Sequence, residues 1–214
     1  MNRISSRIVA LLGALALVAV AVPAQAQQGT VDFTAYGGFY VPTADLIDTF
    51  AGQPVTPTIK QKSAFIFGGR VTGWVTDAVG IEGAFGWALS DVKQNDATTA
   101  TMNANVWIAD LALLYAFPMQ SDVASFFVKA GPTLVGHTGQ DAWDGVSGRT
   151  DIGGTAGVGV RFRVAPMVLI RVDAEDHVFA AKFTEDATGS ETDSKLQNDL
   201  VFSAGFSIAA GGSR

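Results

Sequence analysis

In the stretch RFRVAPMVLIRVDAE, Arg161, Arg163, Arg171, Asp173 and Glu175 stand at odd positions, while Phe162, Val164, Val168, Ile170 and Val172 stand at even ones. Guanidinium and carboxylate groups on every second residue project from one side of an extended strand. If that side is withdrawn from water, the chemistry available to it is mutual neutralisation, because buried charges have to be paired. Other chemistries find less support. The two histidines, His137 and His177, lie in no metal-ligand spacing, and the chain has no cysteine. Acids recur outside the periodic segments: Asp45, Asp48, Asp91, Asp96, Asp141, Asp144, Glu185, Asp186, Glu191 and Asp193. The DAWDG segment (Asp141–Gly145) is too short for an EF-hand loop, so these acids read as solvated loop positions. The Gly-rich run Gly153–Gly159 lacks the strand-then-helix context of a phosphate cradle. No metal, cofactor or catalytic set is therefore expected.

The elements that must position the charges have a period of two. Eight segments alternate: Val31–Thr43, Ala64–Thr76, Val79–Ser90, Met102–Phe117, Val123–Val135, Ile152–Val164, Met167–Phe179 and Asp199–Ile208. One face of each is apolar, as with Ile81, Phe85, Trp87 and Leu89. The other is small and sparse, as with Gly153, Thr155, Gly157 and Gly159. Three connections are tight: Asp77-Ala78, Pro118–Asp122 and Ala165-Pro166. Four are long and polar: Ala44–Ser63, Asp91–Thr101, Gly136–Asp151 and Ala180–Asn198. Short turns at one end and long loops at the other are the signature of a transmembrane β-barrel. The fold expected is all-β, an eight-stranded antiparallel up-and-down transmembrane β-barrel. A soluble barrel would expose its second face and crowd it with Lys and Glu, whereas this face has the small side chains suited to a narrow lumen.

Parity then places Arg70, Glu82, Asp110, Lys129, Arg161, Arg163, Arg171, Asp173 and Glu175 in the lumen as a mixed-sign network. In the hairpin around Pro166, a residue-number sum of 332 sets Arg161 opposite Arg171, and a sum of 334 sets Arg161 opposite Asp173. Neither pairs every charge within the hairpin, so Asp110, Glu82 and Glu175 are expected to contribute. Trp74 falls on the luminal parity but is bulky and near a turn, so a bulge is expected to turn it out to an aromatic belt. Trp87, Trp107, Tyr115 and Phe117 suit belt positions directly. The first strand is aromatic on both faces, with Phe33 and Phe39 on one and Tyr36 and Tyr40 on the other.

The chain opens with Arg3 and Arg7, an apolar run from Ile8 to Val22, and Ala24-Gln25-Ala26. This has the form of a cleavable signal peptide, residues 1–26, with cleavage after Ala26 and a barrel domain over residues 27–214. Without Arg3 and Arg7, 12 basic side chains face 20 acidic ones, a balance that argues against a nucleic-acid partner.

With these features the chain resembles the small outer-membrane β-barrel proteins of the OmpA/OmpX type. The resemblance rests on the signal, on Gly37-Gly38-Phe39 and Phe67-Gly68-Gly69-Arg70, and on the strand TAGVGVRFRV, and it spans about residues 31 to 208. It implies the outer membrane of a Gram-negative envelope as location, with outer-membrane lipid and the barrel-assembly machinery as partners, and a monomer. Members usually end on a terminal aromatic strand; here Phe202 and Phe206 lie on the last strand, and the chain continues through Ala209 to Arg214. Fold is better specified than function. The first reading is an envelope structural or surface-interaction (adhesin-like) protein that presents four extracellular loops to an unidentified surface ligand. The alternative is a narrow channel for small solutes. A lipid-modifying barrel enzyme, using His177 with Ser90, Ser147 or Ser190, is remote, since no fixed spacing links those residues; the expectation is no enzyme.

Overall fold

The structure, a computed structural model, describes residues 29–50, 53–94, 101–117, 123–139, 146–147, 149–185, 189, 191–192 and 194–211. Residues 1–26, the point after Ala26, the Pro118–Asp122 turn, DAWDG, and Asp96, Asp186, Ser190 and Asp193 lie outside these.

Eight long strands form a closed barrel: β1 (Val31–Pro42), β2 (Ala64–Trp74), β3 (Val79–Ala88), β4 (Asn105–Ala116), β5 (Ala124–Thr138), β6 (Thr150–Ala165), β7 (Val168–Ala181) and β8 (Lys195–Ala210). Each pairs antiparallel with the next, and β1 closes the barrel on β8. Closure removes every edge, so each backbone polar group in the wall can be met without water. Following paired residues from Gly37 through β8 and β7 leads to Val160 on β6; following them through β2, β3, β4 and β5 leads to Thr150 on the same strand. That offset of ten residues is the barrel's shear, and with eight strands it corresponds to a tilt of roughly 40°.

Alternation appears directly in exposure. Phe39, Phe65, Phe206 and Ile152 point outward and are more than half exposed, while their immediate neighbours Tyr40, Ile66, Ser207 and Asp151 are buried. In β1, Phe33 and Phe39 face lipid and Tyr36 and Tyr40 face the lumen, which resolves the strand with aromatics on both faces. The lumen is narrow enough that side-chain size matters. Gly68 and Gly86 are paired across β2 and β3. A Cβ at Gly86 would stand 2.5 Å from the Tyr36 hydroxyl, and one at Gly68 2.7 Å from it. The two glycines therefore make room for the Tyr36 ring.

Several strands extend beyond the periodic segments, most of all β8, which begins at Lys195. The long connections are not simply loops. Ile47–Phe50, Gln53–Gln61, Asp91–Gln94 and Thr101–Asn103 form a four-stranded sheet that joins the β1–β2 and β3–β4 connections. Val146–Ser147 pairs with Thr184–Glu185 in the same way. Pro54 and Pro57 disguise the Gln53–Gln61 strand, since proline removes a ladder donor. The pairing of this strand with Ile47–Phe50 is irregular, and its regular contacts to Val92–Gln94 use Ile59–Gln61 instead.

Inside the barrel, composition is layered. At the short-turn end Trp74, Leu114 and Phe127 pack with Ala112 and Ala116. At the loop end Tyr40, Ile66, Val106, Ile108, Val135, Phe179 and Val201 from the wall pack with Leu46, Val92 and Phe183 from the connections. The charged residues lie between these two layers.

Candidate functional site

The strands bring six charged side chains into one cluster that fills the middle of the lumen. β2 supplies Arg70, β3 Glu82, β5 Lys129, and β7 Arg171, Asp173 and Glu175. Each is at most 5 % exposed. Arg70 donates two parallel hydrogen bonds to Glu175, at 2.9 and 2.7 Å, and a third to Ser203 Oγ at 3.0 Å. Its guanidinium also lies 3.3 Å from Asp173 and 3.7 Å from Glu82. Lys129 bridges Glu82, at 2.9 Å, and Glu175. Arg171 donates to Asp173 through Nε at 2.9 Å and Nη2 at 2.7 Å, and also pairs with Glu82. Thr72 donates to the same Glu82 carboxylate at 2.6 Å. Three cations thus meet three carboxylates, and the aromatic faces of Tyr36 and Phe127 cover Arg70 and Arg171 at 4.2 and 4.5 Å. Forked Arg–carboxylate pairs and cation–π contacts compensate the loss of water in such a site.

Arg161 and Arg171 are paired directly across β6 and β7, which is the register with a sum of 332. Like charges opposite each other destabilise a ladder unless they diverge. Here they diverge. Arg171 joins the central cluster. Arg161 reaches Asp32 at 3.1 Å, donates to Ser125 Oγ at 3.2 Å and lies 4.0 Å over the Trp74 ring. Trp74 corrects the sequence reading: it is buried in the lumen, and its Nε1 donates to Asp32 at 2.7 Å. No bulge turns it outward, because an indole that finds a buried carboxylate gains more inside than in the belt. Among the aromatics expected outside, Tyr115 and Phe117 are exposed, and Trp87 and Trp107 are half-buried and face each other across β3 and β4.

Besides Arg161, two residues of the expected network fall outside the central cluster. Asp110 lies 3.5 Å from His177 Nδ1, in a separate layer toward the loops. Arg163 is half-buried, and its Nε has no hydrogen-bond partner. The sequence reading missed Asp32, Tyr36 and Asp199 as members of the luminal polar set. A signal was present in β1, where Asp32 and Thr34 share the even parity of Tyr36 and Tyr40 and mark that face as luminal.

Above the cluster, the Tyr40 hydroxyl donates to Asp199 at 2.6 Å with both groups buried. Tyr40→Phe is expected to destabilise the barrel by about 1–3 kcal/mol, because a buried carboxylate loses its donor. Urea titration of the refolded protein measures this; an unchanged midpoint would show that water or another side chain takes over the hydroxyl's place.

The arrangement offers little for covalent catalysis. Thr133 Oγ1, at 3.4 Å, and Asp110 both approach the same ring nitrogen of His177. A relay needs nucleophile and acid on opposite nitrogens. Ser90 Oγ is engaged by Gln61 and by the Lys62 carbonyl, and Ser147 Oγ faces the Thr184 carbonyl. Outside the barrel, Asp45 pairs with Lys60 at 2.8 Å, Asp91 with Lys62 at 3.6 Å, and Glu191 with Lys182 at 2.5 Å. Among the described residues no three His, Asp or Glu side chains group as metal ligands.

Comparison with known proteins places this architecture. The chain resembles OprG of Pseudomonas aeruginosa at a TM-score of 0.60 and 14% identity, over 87% of this chain and 99% of that one. It resembles AlkL, whose structure was determined in DMPC lipid bilayers, at 0.63 and 15%, over 88% and 92%. Neisserial surface protein A aligns at 0.50 and 14%, over 84% and 96%. At these identities the likeness is one of fold. No curated protein sequence matches the chain. Residues 12–208 match the family described as outer membrane protein beta-barrel domain. With eight strands closed around a charged lumen and an apolar outer wall, the chain belongs to this outer-membrane β-barrel family.

Proposed function

We propose that this is a non-conducting outer-membrane barrel, formed by residues 27–214 after removal of residues 1–26. In this reading it acts as an envelope structural or surface-interaction protein, through the β-rich connections at its loop end. The observation that carries it is the central cluster. Six charges balanced three against three occupy the lumen, each at most 5 % exposed. An ion crossing it would have to break several mutual pairs at once, and a filled eight-stranded lumen behaves as a packed core rather than a pore. The small sheet built from two connections supports the second half of the proposal, since it gives the loop end a defined surface for an unidentified ligand. Outer-membrane lipid and the barrel-assembly machinery are its other partners, and the barrel works as a monomer. In planar bilayers the refolded protein is expected to give no discrete conductance steps at moderate voltage. Stable, ion-selective steps from the wild-type protein would overturn the reading.

A second reading, passage of small solutes, draws support from the loop-side half of the lumen. Its lining includes an apolar cluster of Ile66, Val106, Ile108, Val135, Phe179 and Val201, beside the polar Asp110–His177 and Tyr40–Asp199 pairs. Beside it the β4–β5 pairing passes from Asp110↔Thr133 to Leu113↔Ala130, skipping the positions opposite Gly131 and Pro132. Proline has no N–H to close that gap. This reading favours apolar solutes, and their uptake into proteoliposomes without any ionic conductance would distinguish it.

A further inference from the structure

The small sheet at the loop end has two unlike faces. On one, Val92 and Gln61 are buried. Val92 packs on the apolar cluster in the mouth of the barrel, and Gln61 Nε2 donates to Ser90 Oγ at 2.8 Å and to the Ala104 carbonyl at 2.6 Å. Alternation puts Lys60, Lys62 and Lys93 on the other face, and all three are exposed. Lys60 stands directly opposite Lys93 in the strand pairing, where like charges repel. Asp45 meets Lys60 at 2.8 Å and Asp91 meets Lys62 at 3.6 Å, whereas Lys93 forms no ion pair among the described residues. Three ammonium groups against two carboxylates leave this face positive, in a chain whose net charge is negative.

The height of that face identifies what lies beside it. Leu89 and Phe65, joined by a backbone hydrogen bond at 3.0 Å, are 57% and 51% exposed and face lipid. Lys93 keeps the parity of Leu89 four residues farther toward the loops, roughly 13 Å along the chain. At the barrel's tilt that is about 10 Å higher. The headgroup layer extends roughly 5–8 Å beyond the hydrocarbon on each side. The lysines therefore stand at its outer edge, pointing away from the barrel axis, and a lysine's flexible stem lets its ammonium reach down into the layer. We propose that this face binds the phosphate groups of a phosphorylated glycolipid of the outer leaflet, the lipid A part of lipopolysaccharide. The proposal rests on the reading above that the loop end faces outward. A phosphate between Lys60 and Lys93 converts their repulsion into two charge-assisted contacts. The pairs with Asp45 and Asp91 are exposed and contribute little stability, so they yield to a phosphate of higher charge.

Two lipids and two variants test it. The refolded protein in neutral detergent is titrated with lipid A carrying two phosphates and with lipid A carrying one, and binding is read by native mass spectrometry. The first lipid is expected to bind about tenfold tighter. Lys60→Gln with Lys93→Gln is expected to remove that difference. Arg149→Gln with Lys182→Gln, an equal loss of charge elsewhere at the loop end, is expected to leave it. Equal binding of the two lipids by the wild type would overturn the proposal whether or not the variants fold. An undiminished difference in the first variant, or an equal loss in the second, would overturn it as well. The outward orientation is tested apart from lipid. The chain has no cysteine, so Lys93→Cys gives a single site for a membrane-impermeant maleimide. Labelling of intact cells together with equal lipid binding would sink the lipid proposal alone. Labelling only after lysis would overturn the orientation and the proposal together.

Discussion

Glu82→Ala is expected to be the most damaging single change in the lumen, costing about 3–5 kcal/mol of stability. Glu82 accepts from Arg171, Lys129 and Thr72 and lies 3.7 Å from Arg70. Its removal leaves three cations facing only Asp173 and Glu175, at a depth where water cannot screen the excess. Added salt should not rescue the variant, because screening acts poorly on enclosed charges. The double change Glu82→Ala with Lys129→Met restores two against two and is expected to recover much of the loss. Urea titration of the four proteins in one detergent, read as a double-mutant cycle, measures the coupling. Additive losses would show that Glu82 and Lys129 do not act through each other.

The second large effect lies on the other face of the same strand. Phe85 is outward and 41% exposed, paired with Gly69 and Ala109. Phe85→Arg is expected to cost roughly 2–4 kcal/mol, as a guanidinium does on the lipid face of a barrel near the midplane. Its neighbour Ala84 faces the lumen, paired with Arg70 and Asp110. Ala84→Ser is expected to change stability by less than about 1 kcal/mol, since a hydroxyl placed among charged groups finds partners. Equal urea midpoints for the two variants would reject the assignment of faces.

These two neighbours illustrate what could be read before any coordinates. A strand repeats every two residues, so side chains that share a parity share a face, and the parity of the exposed apolar residues marks the lipid side. The eight strands, their antiparallel order and the luminal direction of Arg70, Glu82, Asp110, Lys129, Arg171, Asp173 and Glu175 all follow from that local periodicity and from connection lengths. Asp176 was overlooked because it keeps lipid-facing parity in a strand whose other charges point inward.

The face each charge occupies is set within its own strand, because parity is a property of neighbouring residues. Which charge meets which depends on the assembled barrel. Arg70 pairs with Glu175, 105 residues away; Arg171 with Glu82, 89 away; Arg161 with Asp32, 129 away. None of these pairs joins strands that share a hairpin, so no hairpin register contains them. They arise because closure with a shear of ten residues brings non-neighbouring strands to the same level across a lumen one side chain wide. The β1–β2 pairing, with Asp32 opposite Thr72, sets Trp74 beside Asp32 and keeps it inside. The order of strands around the barrel also brings the β1–β2 and β3–β4 connections close enough to pair into one sheet, since a strand is stabilised by the partner beside it.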